Sequence, residues 1–567
     1  MGIPQYFSWL TRKYNNIVSN DKKDIIVDHL YFDFNCLIYH VLNDILKKEY
    51  DKLKNKSSKD FRSYLFKNII KYINFIITDV CIPKKSLYIA IDGVVPMAKM
   101  HQQRLRRFKS PIMKEWENDL KKKFGVFKEE IFDTNQITPG TEFMSELSAV
   151  IKTSISSGAL NIASNVKTYF SDANSPGEGE HKVMNHMNNL ESSDEIISVY
   201  GLDADLVMLS LIQKHKNLFL LREDVNQKKL EDEKQKFIYV SIDNLRENLY
   251  KEFLERLKHN FKIDRDVFVK DYVFLCFLLG NDFIHSLPSL KIKYGGVDFI
   301  VNLYIKILGY VKKKIVQDDN SINHSFLLKI FENLNNCEES NLKYIQNKNH
   351  DIKLPNFDDT YSEEKFKHDR VQLNEIFKYR KISIDFKAKF YKNKYYKEVF
   401  NLDINDSFDA KEVDLVCKKY LEGLKFTSSY YFDKNIFWEW YYPLNYSPFA
   451  SDIYKNLKKI NNINNLEINV GNPVKPIEQL MMVLPKYSVS ILPKSVQNII
   501  LDIKSTINQY YPSNYEFDFY DKYMLYSIEP KLPIIDIEKI RENFKLCSLN
   551  SNEELRNKEG ELFTFFK

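Results

Sequence analysis

Asp33, Asp92, Glu178, Glu180, Asp203, Asp205 and Asp282 are the residues best suited by type and spacing to do chemistry. Asp33 ends the apolar run in LYFDFN, Asp92 the run in SLYIAIDG, and Asp203 and Asp205 follow the run in ISVYGLDADLVML. Asp282 follows the apolar stretch of FLLGNDF, and Glu178 and Glu180 lie in PGEGEHK, a glycine-flanked turn that opens a helix. A single Asp after a strand is ordinarily a turn former or a helix cap; the recurrence of the pattern argues for more. An acid closing an apolar β-run stands at the carboxyl edge of a sheet, where open α/β folds bind ligands. That many carboxylates on one edge cannot all stay ionised without cations. Two hard divalent ions held by oxygen ligands answer the repulsion, and a paired site of this kind hydrolyses phosphodiesters. With no His or Cys cluster to compete, the donors point to Mg²⁺, with Mn²⁺ as its substitute, rather than Zn²⁺.

A second group follows Asp92. From Gly93 to Met113 the chain carries no acid, but it carries Lys99, Arg104, Arg106, Arg107 and Lys109. Lys99, Gln103, Arg106 and Arg107 recur at helical spacing on one face. A lone basic helix is ordinarily a solvated surface. This one leaves directly from a metal-site strand, so its cations suit a terminal phosphate, with Arg as a paired donor and Lys as a point charge. A pocket for a 5′-phosphate one nucleotide from the metals would direct removal of single nucleotides from the 5′ end.

These groups need a scaffold. Between 24 and 300, strand-like runs (HLYFDF, SLYIAID, NVKTYFSD, IISVYGLD, NLFLLRE) alternate with helical stretches, which predicts an α/β domain with a largely parallel central sheet and flanking helices. We place this nuclease domain at 1–315, with a charged amphipathic helix near 111–130 outside the strand–helix rhythm. Residues 316–372 read as a polar insertion or linker, partly disordered, and 373–567 as a mainly helical, aromatic-rich second region. A chain of 567 residues exceeds one core of typical size, so several domains are expected. No signal peptide or span-length apolar stretch is evident, and the six cysteines are scattered without a CxxC pair. This predicts a soluble, intracellular monomer with no membrane partner.

The segments IDGVVPMAKMHQQRLRRFK, ITPGTEFM, PGEGEHK, YGLDADLVMLSL and LLGNDFIHSLPSL, with YLEGLKFTSSYYF, WEWYYPLNYSPFASDI and NPVKPIEQLMMVLPKYSVSILP in the second half, resemble the XRN-type 5′→3′ exoribonucleases over essentially the whole chain. The opening MGIPQYFSWL resembles theirs as well. The resemblance implies a processive exoribonuclease that degrades single-stranded RNA bearing a 5′-monophosphate to nucleoside 5′-monophosphates with two metal ions. It places the metal ligands on the seven acids above and the phosphate pocket on Lys99, Gln103, Arg106 and Arg107. It implies that the first base stacks between Tyr39, which stands where the family usually has His, and a Trp, either Trp438 or Trp440. Cys36 stands where the family usually has Gly. The long carboxyl-terminal extension of the cytoplasmic branch is missing, as are the zinc knuckle and basic tail of the nuclear branch, so the chain resembles a stripped catalytic core, expected in the cytoplasm rather than the nucleus. The rival readings are a flap-type 5′ DNA nuclease and an inactive RNA-binding scaffold.

Overall fold

The structure is a computed structural model that describes residues 6–19, 25–123, 125–201, 203–224, 236–257, 263–350, 384–433, 436–522 and 527–566. The opening pentapeptide therefore lies outside the described residues. Five apolar runs form the middle of an eight-stranded sheet: β2 (Ile25–Asp33), β3 (Cys81–Ala90), β4 (Lys167–Ser171), β5 (Ile196–Tyr200) and β6 (Asn217–Glu223). They are mutually parallel in the order β6-β5-β2-β3-β4. Both faces are covered, which is why these strands read as continuous apolar runs. Leu30 and Phe32 of β2 enter one core with the helices Asn35–Leu53 and Ser58–Phe75, whereas Tyr31 enters the other with Val183, Leu206 and Met208.

The chain winds from β2 outward to β3 and β4, then returns to the opposite side of β2 to lay down β5 and β6. The winding therefore reverses between β2 and β5. At such a switch the connections diverge and leave a crevice at the carboxyl ends of the strands.

Edge strands run antiparallel: β7 (Phe237–Ser241) on β6, β1 (Val18–Ser19) on β7, and β10 (Phe563–Phe565) on β4. A two-stranded ribbon, β8 (Phe517–Asp518) with β9 (Glu529–Pro530), lies outside the main sheet. Through β10 the last described segment becomes part of the first domain's sheet. The second region is tied in again by a third core, where Val94, Val95, Met97 and Met100 pack with Ile477, Leu480 and Met481.

Two sequence expectations are corrected. The charged helix near 111–130 is not a separate element: one helix, Met97–Lys123, runs from the basic face through Pro111. The polar stretch from 316 is not a linker over its described part. His324–His350 is helical and buries Phe326, Leu327, Ile330, Phe331 and Leu334 at spacings of three and four, with Leu342 two turns further on; interspersed polar residues, among them the buried Glu338, hide the stripe in the sequence. The remainder, 351–372, lies outside the described residues. Among the described residues no helix is long and apolar enough to cross a membrane.

Candidate metal and phosphate site

The carboxyl ends of four adjacent strands deliver six of the seven acids. Asp33 is the last residue of β2, and Asp92 lies two residues past β3. After β4 the chain turns so that Glu178 is the N-cap of the helix Gly179–Met187 and Glu180 lies in its first turn. After β5, Asp203 is the N-cap of the helix Ala204–Leu211 and Asp205 lies in its first turn. Neither cap acid makes a side-chain capping bond, so capping does not account for either. Both helices aim the positive end of their dipoles at the cluster, which favours anions there.

Asp282 arrives from another direction. The helix Arg265–Phe277 ends, and Gly280 takes a left-handed φ of 91° that a side chain would strain. Asn281 Oδ1 then accepts the backbone N–H groups of Phe283 (2.8 Å) and Ile284 (3.0 Å), which fixes the loop that presents Asp282. Close packing elsewhere also needs glycine: a Cβ on Gly179 would fall 2.6 Å from Asp33 Oδ1.

Among the described residues, these contacts hold the cluster. Lys99 Nζ donates to Glu178 Oε2 (2.7 Å) and to Asp282 Oδ2 (2.8 Å). Asp92 accepts the Gly179 N–H (2.7 Å) on Oδ1 and Asn35 Nδ2 (2.7 Å) on Oδ2. The Tyr430 hydroxyl donates to Glu178 Oε1, and the Tyr431 hydroxyl to Asp205 Oδ1 (3.0 Å). Lys182 is buried nearby but donates to the carbonyls of Ile91 and Asp172.

The electrostatic result follows. Burial, then Asp92, Asp203 and Glu178, push the Asp33 carboxyl well above the usual range. Burial and Glu178 push Asp92 up; burial, Asp205 and Glu178 push Glu180 up. Burial and Asp282 bring Asp205 to about 7. Burial would raise Asp282 too, but Lys99 together with other cations, Arg106 among them, holds that carboxyl low. Burial alone would lower Lys99, yet Asp282 and Glu178 hold its ammonium firmly protonated. Burial and mutual repulsion thus weigh on Asp33, Asp92, Glu180 and Asp205, and the donors are carboxylate oxygens, which suits hard divalent cations.

Beyond Lys99 the same helix presents Gln103 and Arg107, about 6 and 12 Å further along its axis. Both are buried. Arg107 Nη1 donates to Thr138 Oγ1 (2.6 Å), while Arg107 Nε and Gln103 Oε1 are buried without a partner. Burial brings the Arg107 guanidinium down to about 10, with Tyr39 on the opposing side of the balance, so Arg107 and Tyr39 are electrostatic neighbours. Arg106 is exposed, and Tyr39 is half-buried on the helix Asn35–Leu53.

The two tryptophans part company. Trp440 is 7% exposed, stacks on Phe426 with ring centres 4.7 Å apart, and donates Nε1 to Glu422 Oε2 (3.1 Å). Of the two tryptophans left open as stacking partner, Trp440 is packed in the core. Trp438 is half-buried, and its carbonyl accepts the Met97 N–H (2.7 Å) at the start of the basic helix.

Sequence reasoning did not assign a site role to Asn35, Tyr430, Tyr431 or His181. Asn35 and His181 sit inside LYFDFN and PGEGEHK, where adjacency to an acid is the available signal. His181 offers a ring nitrogen within 4.8 Å of ligand oxygens of Glu178 and Glu180, and burial brings it down to about 4. The tyrosines carry no local signal, because they lie some 220 residues or more from the acids they touch.

Comparison with known proteins agrees with this architecture. Residues 1–224 match the family model described as XRN 5′-3′ exonuclease N-terminus, and residues 260–387 and 381–567 match that described as Xrn1 helical domain. The chain is similar to 5′-3′ exoribonuclease 1 of Homo sapiens, 30% identical over 627 positions that cover 99% of this chain and 35% of the relative. It is similar to 5′-3′ exoribonuclease 1 of Schizosaccharomyces pombe at 27% identity, covering 94% of this chain and 48% of the relative. It is also similar to the 5′-3′ exoribonuclease 2 homolog of Drosophila melanogaster at 27% identity, covering 100% of this chain and 73% of the relative. The chain thus spans about a third to a half of the first two relatives.

Proposed function

The chain belongs to the XRN 5′→3′ exonuclease family, and we propose that it hydrolyses single-stranded RNA processively from a 5′-monophosphate end, releasing nucleoside 5′-monophosphates. One observation carries this reading. Lys99 is at once the ion-pair partner of Glu178 and Asp282 and the first residue of the face that continues to Gln103 and Arg107. One rigid helix thereby joins a carboxylate centre to a cationic cup, and their separation sets how far from the end the strand is cut.

Asp33, Asp92, Glu178, Glu180, Asp203, Asp205 and Asp282 would hold two Mg²⁺ ions, or Mn²⁺ in their place. Bound there, the ions supply the positive charge that activates water and stabilises the phosphoryl oxygens. The chain's own groups do the rest. Arg107 Nε and the exposed Arg106 bind the terminal phosphate. Gln103 helps close the cup. Lys99, with three donors of which two are used, keeps one for a phosphate oxygen. A triphosphate overfills this cup and a hydroxyl end leaves Arg107 Nε unpaired. Tyr39 and Trp438 flank the first base, since any aromatic face accepts any base.

The test uses end-labelled RNAs with monophosphate, triphosphate and hydroxyl termini, incubated with Mg²⁺ and then with EDTA. Mononucleotide release from the monophosphate RNA alone, abolished by EDTA, is the expected result. Equal decay of all three, or decay in EDTA, contradicts the reading.

A further inference from the structure

Resting on the metal-site reading above, we propose that Tyr430 and Tyr431 are positioning residues. Each fixes one oxygen of a carboxylate from a different strand end, so that the helix Ser407–Phe432 of the second region sets the spacing of the metal site in the first.

Tyr430 donates to Glu178 Oε1, on the β4 side of the sheet, and Tyr431 donates to Asp205 Oδ1 at 3.0 Å, on the β5 side. Consecutive residues on a helix diverge by about 100° around its axis. Both hydroxyls nevertheless reach carboxylates, so one rigid helix contacts the two acids in two directions. An ionised carboxylate accepts at about four positions. A phenol occupies one and leaves the others for a cation.

The rings cannot swing away. Phe283, next to Asp282, meets the Tyr430 ring edge-on at 4.8 Å, and Phe426 stacks on it at 5.7 Å. Phe277, which ends the helix leading to Asp282, packs on Tyr431 at 4.9 Å. Asp282 is thus keyed to the same two tyrosines through its neighbours. Glu178 is held on both oxygens, by Tyr430 and by Lys99. Groups that orient metal ligands in this way commonly govern affinity about 10- to 100-fold.

The experiment compares the full chain with Tyr430→Phe, Tyr431→Phe and the double variant. Each keeps the ring and removes only the hydroxyl. Tyr396→Phe is the matched control: Tyr396 donates to Asp452 Oδ2 at 2.9 Å in the second region, where no site acid takes part. Mn²⁺ binding is read by electron paramagnetic resonance, well below each variant's melting temperature, alongside the Mg²⁺ dependence of RNA hydrolysis. The expected result is Mn²⁺ affinity about 10-fold lower or more in each site variant, with Tyr396→Phe unchanged. Saturating Mg²⁺ should recover most of the activity. Wild-type affinity in Tyr430→Phe and Tyr431→Phe, or an equal loss in Tyr396→Phe, overturns the proposal. A wild-type chain that binds Mn²⁺ but degrades no RNA would fail the functional reading while leaving the tyrosine comparison decided by Mn²⁺ binding alone.

Discussion

Arg104 donates Nη1 to the carbonyl of Met482 at 3.1 Å and Nη2 to the carbonyl of Tyr510. The helix that carries the cationic face therefore also helps to fasten the second region in place. Three residues on, Arg107 faces Tyr39 and Thr138 instead. Two arginines one turn apart thus have separable jobs. Arg104→Met should lower stability by about 2–4 kcal/mol, since two charge-assisted bonds to buried carbonyls are lost. Arg107→Met should cost less stability but erode the preference for a monophosphate end. Thermal melts and competition between differently phosphorylated RNAs check the pair.

Asp205→Asn separates function from stability. The carboxyl is raised to about 7 by burial and Asp282, so removing its charge relieves repulsion, and Asn Oδ1 still accepts from Tyr431. Without metal the variant should melt at or above the wild-type temperature. With Mg²⁺ its RNA decay should fall on the order of a hundredfold or more. Asp203→Asn should lose activity similarly. Calorimetry with and without Mg²⁺, beside a decay assay, reads both effects.

Trp440→Ala should cost about 3–5 kcal/mol, the penalty for emptying a packed aromatic site. Trp438→Ala should leave the fold nearly intact and weaken binding of the RNA end by about 1–3 kcal/mol. Chemical denaturation and equilibrium binding without metal measure these two quantities.

Asp271 ties the helix that leads to Asp282 onto the strand-like segment after 314. Its carboxylate accepts the N–H groups of Ile315 and Val316 and the Tyr304 hydroxyl. Burial outweighs those bonds and brings its pKa to about 6, above the roughly 3.9 of an unfolded Asp. With the folded value raised, this term favours the fold below about pH 4 and is lost as pH rises to about 6. Asp271→Asn should abolish that slope. It should also cost about 1–3 kcal/mol, because one amide oxygen cannot serve three donors. Melting temperatures between pH 4 and 7 test this.

Much of the scaffold could be read before any coordinates. Strands buried on both faces are continuous apolar runs, and acids at their ends stand out because a buried carboxylate is costly. That reasoning expected Asp33, Asp92, Asp203 and Asp205 at the carboxyl ends of strands and a largely parallel sheet, which is how they lie. What escaped it depends on distant contacts. The edge strands β1 and β10 are two and three residues long and take their pairing from the sheet. In WEWYY, Trp438 and Trp440 differ in fate because the core lies nearer one of them, which spacing alone does not reveal. Tyr430 and Tyr431 read only as an aromatic cluster, because their partners are set by how one helix crosses two strand ends.

The central claim is that the carboxylates hold metal beside a cup for one phosphate. Crystals grown with Mn²⁺ and a non-hydrolysable 5′-phosphorylated oligonucleotide test it most directly, by anomalous scattering. The account predicts two manganese peaks among Asp33, Glu178, Asp205 and Asp282, with the terminal phosphate against Gln103 and Arg107. Manganese bound elsewhere, or a terminal phosphate away from Arg107, would contradict it.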